Sequence, residues 1–86
     1  MRTVSLAYFA WVRERIGIAA EERDLPESVV TVADLIAHLK TLGDGYAAAL
    51  EHENVIRVAL DQEHAEHGEP IGDAREIALF PPMTGG

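Results

Sequence analysis

Val4, Leu6 and Tyr8 alternate with Thr3, Ser5 and Ala7, a period of two that predicts a strand over residues 3–9 with one face buried. The period then changes. Residues 10–16 (Ala-Trp-Val-Arg-Glu-Arg-Ile) carry their bulkier apolar side chains close to helical spacing, and Gly17 suits a helix C-terminus. Residues 21–25 are short and charged, and they predict a strand that pairs back on the first and stops at Pro26. The clearest pattern begins at Thr31, which with Asp34 has the spacing of a capping box. Val32, Leu35, Ile36 and Leu39 follow at i, i+3, i+4 and i+7, one apolar stripe for packing on a sheet, and Gly43 is read as closing this helix after Leu42.

Residues 46–51 predict one further helical turn. Over residues 55–60, Val55, Ile56, Val58 and Leu60 are apolar with Arg57 interrupting, which predicts a strand. Residues 61–72 are polar, with Gly68, Pro70 and Gly72 as turn signals. Residues 77–80 are the last strand, halted by Pro81 and Pro82. Strands segregated around one principal helix predict an α+β domain with a mixed sheet wrapped on that helix. The β-grasp (ubiquitin-like) arrangement fits, with the first and last strands side by side at the sheet centre, where the most apolar strands belong. The domain is read as residues 1–80 and the extended C-terminal Gly-Gly tail as residues 81–86.

Charge and composition narrow the chemistry. The chain of 86 residues carries 15 acidic against 7 basic side chains, a formal net charge of −8. Phosphate backbones need clustered Lys and Arg, and Lys40 is the one lysine, so no nucleic-acid partner is expected. An acidic surface steers a domain toward a basic partner and keeps it soluble. With no cysteine there is no Cys nucleophile, persulfide carrier or Cys-held metal, and a reducing, cytoplasmic setting is expected. The N-terminus leads directly into a strand pattern, without a signal-peptide pattern, and no apolar run approaches the ~20 residues that span a bilayer, so no membrane partner is expected.

The end of the chain holds the candidate chemistry. Residues 79–86 (Leu-Phe-Pro-Pro-Met-Thr-Gly-Gly) include no charge. Pro81 and Pro82 remove two backbone donors, end strand pairing and send the chain out extended. From there six residues reach roughly 20 Å. Gly85 and Gly86 lack Cβ atoms, slim enough for a narrow channel, and a terminal glycine leaves its carboxyl sterically open to activation. Gly85-Gly86 alone reads as an ordinary small-residue terminus. The whole string from Phe80 to Gly86 does not. Phe80, at the root of the tail, is the candidate interface anchor, with a last core residue of the sheet as the equal alternative.

These residues resemble the small, sulfur-carrying subunits of molybdopterin synthase, a ubiquitin-like sulfur-carrier family. The likeness is carried by Phe9, Ala10, Arg13 and Glu14, similar to its Phe-Ala-x-x-Arg-Glu segment; by Gly17; by Thr31, Val32 and Leu35, similar to a Thr-Val-x-x-Leu helix start; and by the Phe80-to-Gly86 ending, similar to its Pro-Pro-Val-Thr-Gly-Gly tail. The resemblance implies that the catalytic group is Gly86, adenylated by a partner enzyme that uses ATP and then converted by a sulfur donor to a thiocarboxylate. It implies that Phe80, Pro81, Pro82, Met83, Thr84 and Gly85 bind the partner and thread into the large subunit of a heterotetramer. There the thiocarboxylate supplies dithiolene sulfur to cyclic pyranopterin monophosphate, in two rounds. No cofactor is expected on this chain and no autonomous active site, since most catalytic side chains belong to the large subunit. Asp61 stands where this family often has Asn, Ala74-Arg75 where it has Gly-Asp, and His64 where an apolar residue often meets the partner; a turn needing positive φ at Ala74 would be strained.

Other constellations read as ordinary surface. His64-x-x-His67 lies in a polar loop without the three or four convergent ligands a metal needs, so no metal is expected. Glu21, Glu22 and Asp24 read as a charged edge strand. The alternatives in function are a carrier for thiamine synthesis or tRNA thiolation, a ubiquitin-like modifier forming isopeptides through Gly86, and a binding module with an inert tail.

Overall fold

A computed structural model describes residues 2–82. The chain runs β1 (Arg2–Tyr8), α1 (Ala10–Ile16), β2 (Ala20–Leu25), α2 (Val32–Lys40), α3 (Asp44–Ala49), a 3-10 turn (Glu53–Val55), β3 (Arg57–Leu60), β4 (Glu63–Ala65) and β5 (Glu76–Phe80). The strands form one sheet in the order β2-β1-β5-β3-β4. β1 is antiparallel to β2 but parallel to β5, and β3 is antiparallel to both β5 and β4. This is the β-grasp arrangement, with the two terminal strands adjacent at the centre.

The alternation of β1 decides its faces. Val4, Leu6 and Tyr8 are buried, as are Ile77 and Leu79 of β5, Val58 of β3 and Ala65 of β4. On that face lies α2, whose Val32, Leu35, Ile36 and Leu39 are all buried in the same core. The capping box forms: the Asp34 amide donates to Thr31 Oγ1 at 3.1 Å, and the Thr31 amide donates to Asp34 Oδ2 at 3.0 Å. The next two amides are taken by a loop, Val32 donating to the Glu69 carbonyl at 3.0 Å and Ala33 to that of His67 at 2.9 Å. Every early amide of α2 thus has a partner within the chain.

Several boundaries differ from the pattern. α2 stops at Lys40, where its last turn tightens: the Thr41 amide donates to the His38 carbonyl and the Leu42 amide to that of Leu39, both at 3.0 Å. Gly43 therefore does not close it; its carbonyl accepts from Ala47 at 3.0 Å and opens α3. Val55 belongs to the 3-10 turn, so β3 starts only at Arg57. Within the polar stretch after Leu60, Glu63–Ala65 pairs as an edge strand that no apolar alternation announced.

α3 crosses the end of α1 closely. A Cβ built on Gly45 would lie 2.8 Å from the Arg15 carbonyl oxygen and 3.5 Å from that of Ile16. Those are backbone atoms and cannot swing aside. Gly45→Ala is expected to destabilise the fold by about 1–3 kcal/mol, read as a lower urea midpoint with an unchanged slope.

Candidate functional site

The tail is carried by β5, the middle strand, whose last residue is Phe80. Phe80 is opposite Arg57 on β3. On the other side the parallel pairing ends at Tyr8 and Leu79, and the next step of β1 is Phe9. Phe9 keeps an extended backbone (φ −130°, ψ 155°), so its side chain falls on the face opposite the core, beside Phe80 and 51 % exposed. Its amide donates to the Leu79 carbonyl at 3.2 Å, which binds the start of α1 to the tail-bearing strand. The chain then turns through Ala10 at φ 52°, a left-handed conformation that costs an alanine roughly 1 kcal/mol. Phe9, Phe80 and Arg57 so form a bulky ridge at the root of the tail.

Behind the ridge lies a row of small side chains. The registers place Ala20 beside Ala7, Ala7 beside Ala78, Ala78 beside Ala59, and Ala59 beside His64. All are on the face away from the helices, and Ala7, Ala59 and Ala78 are half-buried there. A trough of methyl groups bordered by two aromatic rings can receive an apolar surface. Pro81 and Pro82, also half-buried, leave from its edge. Phe80 is thus on the open face, and Leu79 is the last fully buried residue of β5. Met83, Thr84, Gly85 and Gly86, the rest of the expected site, lie outside the described residues.

The register of β5 is held by Asp61. Asp61 and Gln62, at φ 49° and 73°, make the two-residue turn between β3 and β4. The Asp61 carboxylate accepts from the amides of Arg75 and Glu76, both at 3.0 Å, and its own amide donates to the Glu76 carbonyl at 2.8 Å. Positive φ before β5 falls on Gly72, so Ala74 carries no such strain and is instead buried. The two amide donors hold the Asp61 carboxyl below the ordinary carboxylate range; those of Thr31 and Val30 do the same for Asp34. A depressed folded-state value stabilises above the unfolded value, near pH 4, and the effect is lost as pH falls through the folded value. Asp61→Asn, which keeps an acceptor oxygen, is therefore expected to flatten the loss of thermal stability between about pH 4 and pH 2.

Other side chains are placed differently from their sequence reading. Glu22 and Asp24 are exposed on the β2 edge, but Glu21 turns inward. Its Oε2 accepts from the hydroxyls of Tyr8 and Tyr46, both at 2.7 Å, and Arg23 Nε stands 3.0 Å from its Oε1. Burial first, and then the bond to Glu21, raise the Tyr8 phenol above its usual pKa. This group ties β1 and β2 to α3. It was legible only as alternation, since Glu21 and Arg23 share the phase of Leu25. His67 directs Nε2 at the Ile56 carbonyl at 2.7 Å, while His64 Nε2 lies 3.6 Å from Glu66 Oε1. Among the described residues no three His, Cys, Asp or Glu groups converge as metal ligands, and no helix is long and apolar enough to cross a membrane.

Comparison with known proteins places this geometry among relatives. The ThiS family matches residues 6–86. The molybdopterin synthase sulfur carrier subunit of Escherichia coli is 36 % identical, over 96 % of this chain and 99 % of that one. The Caenorhabditis elegans protein of the same name is 32 % identical over the whole of both. Among solved structures, SAMP1 from Haloferax volcanii superposes with a TM-score of 0.71 at 29 % identity, covering 99 % of this chain and 100 % of that one.

Proposed function

Because the chain belongs to the ThiS family, we propose that it is the sulfur carrier of a molybdopterin synthase. The α-carboxyl of Gly86 attacks the α-phosphate of ATP on an adenylating partner, releasing pyrophosphate. A sulfur donor then displaces AMP and leaves a thiocarboxylate. The loaded tail enters a large subunit, where the thiocarboxylate sulfur bonds to a carbon of cyclic pyranopterin monophosphate and displaces an oxygen substituent; water then cleaves the acyl–sulfur bond and returns the Gly86 carboxylate, one sulfur atom for each carrier that docks. Neither ATP nor the pterin needs a pocket on this chain. The setting of this chemistry would be the cytoplasm, and the assembly a heterotetramer of two large and two small subunits.

The observation that carries the reading is the placement of Phe80-Pro81-Pro82 at the end of the central strand. A tail rooted there leaves from an aromatic ridge beside an apolar trough, so the surface that docks and the chain that delivers are contiguous. Phe80, Pro81 and Pro82 would contact the large subunit at its entrance, and Met83, Thr84 and Gly85 would follow into its channel.

Intact mass of the protein from its native cells tests this. Replacement of one oxygen by sulfur, mapped to Gly86, supports the carrier; an unmodified carboxylate beside an active adenylating enzyme and a sulfur supply sinks it. The likeness to SAMP1, named a small archaeal modifier protein, favours a second reading in which Gly86 is joined to lysines of other proteins. Covalent ladders detected with an antibody to the domain, and lost without Gly86, would support that one.

A further inference from the structure

We propose that Ala10 is a positioning residue, whose left-handed corner fixes the ring of Phe9 on the open face beside the root of the tail. This rests on the docking surface proposed above. Among the described residues three that are not glycine have positive φ, namely Ala10, Asp61 and Gln62. Asp61 and Gln62 form the β3–β4 hairpin turn, where both central residues need positive φ, and the Asp61 carboxylate accepts from two amides. Ala10 has no polar side-chain group with which to offset its cost.

Local stability favours other residues at this corner. The Val12 amide donates to the Phe9 carbonyl at 3.2 Å and closes a four-residue turn with Ala10 second, a place where positive φ selects glycine. Phe9 stands at the N-cap of α1, where Ser, Asp or Asn would accept an amide; a phenyl ring cannot, and no side-chain cap bond forms. Two adjacent positions thus forgo stability. Both concern the one exposed aromatic ring among the described residues.

The hydrogen bonds around Phe9 do not hold it firmly by themselves. Its amide reaches the Leu79 carbonyl at 3.2 Å, and its carbonyl accepts from Val12 at 3.2 Å and Arg13 at 3.3 Å. These are long bonds, at the weak end of the usual range. Their neighbours, from the Tyr8 amide to Ala19 and from the Gly17 amide to Arg13, are 2.8 Å. The dihedral limits of Ala10 therefore fix the angle between β1 and α1. An L-residue with a side chain has only a small allowed well at positive φ, whereas glycine ranges widely. Alanine holds the Phe9 ring in place before a partner arrives, so docking does not have to supply that ordering.

Calorimetric titration of the full chain with the molybdopterin synthase large subunit of the same organism, alongside urea unfolding followed through Trp11, tests the inference. Phe9→Ala is expected to lose about tenfold in affinity or more. Ala10→Gly should lose about threefold to tenfold while its urea midpoint stays level or rises, because relief of strain and the freedom that glycine adds to the unfolded chain oppose each other. A residue that acts only on the fold would lower both together. Ala10→Asn, which keeps a side chain and tolerates positive φ, should bind within about twofold of the wild type. Wild-type affinity in Ala10→Gly beside a weakened Phe9→Ala would overturn the role of Ala10 and leave the docking face standing. So would a midpoint that falls with the affinity, or an Ala10→Asn as weak as Ala10→Gly, which would assign the loss to the methyl group. Full affinity in Phe9→Ala, or no binding by the wild type, would sink the docking surface and this inference with it.

Discussion

A variant lacking Gly86 is expected to lose sulfur transfer by about a hundredfold or more while unfolding at the same denaturant concentration as the wild type. Among the described residues every buried core side chain lies between Val4 and Leu79, so shortening the chain at its end removes none of them. Stability should stay within about 0.5 kcal/mol. The proposed reacting atom, however, is the carboxyl carbon of residue 86, and a chain ending at Gly85 presents its carboxyl up to ~3.5 Å short of the same position. Misplacement of that size costs about a hundredfold or more where reacting atoms must meet. Thiocarboxylate formation, followed by mass, and molybdopterin formation with the large subunit are the two measurements. Transfer near the wild-type rate in either would remove Gly86 from the mechanism.

Phe80→Ala and Leu79→Ala should part company although the residues are adjacent. Phe80 faces the open side of the sheet beside Arg57 and the exposed ring of Phe9. Truncating an aromatic anchor at an interface costs about 2 kcal/mol or more, which is about a thirtyfold loss of affinity for the large subunit. Phe80 is only half-buried in the free domain, so its loss there should lower stability by about 1 kcal/mol. Leu79 points the other way and is fully buried in the core. Its truncation is expected to cost about 2–5 kcal/mol of folding free energy and, in the fraction that stays folded, to leave docking near wild type. Urea unfolding and calorimetry on the same two proteins measure both. Equal loss of affinity in the two would mean that Phe80 acts through the fold.

Much of this architecture was legible in the chain. The phase of Val4, Leu6 and Tyr8 settles which face of β1 is buried, because successive side chains point to opposite sides. The stripe from Val32 to Leu39 and the Thr31–Asp34 pair define α2, since both are interactions within one or two turns. The end of β5 at Phe80 was legible as well, since Pro81 and Pro82 cannot donate to a neighbouring strand.

Tertiary structure alone decided what depends on partners distant in sequence. Glu63–Ala65 became a strand because β3 offered it backbone hydrogen bonds, which side-chain pattern does not encode. Helix α2 ended before Gly43, in a tightened last turn at Thr41 and Leu42, and Gly43 was used instead to open α3. Glu21, read as solvated charge, turned inward once two tyrosines from β1 and α3 supplied donors for its carboxylate. The row from Ala20 to His64 and the ridge of Phe9, Phe80 and Arg57 exist only as products of strand order and register. Local periodicity tells each strand which side to bury; long-range packing chooses its neighbours, and those neighbours set the row of alanines beside the aromatic ridge.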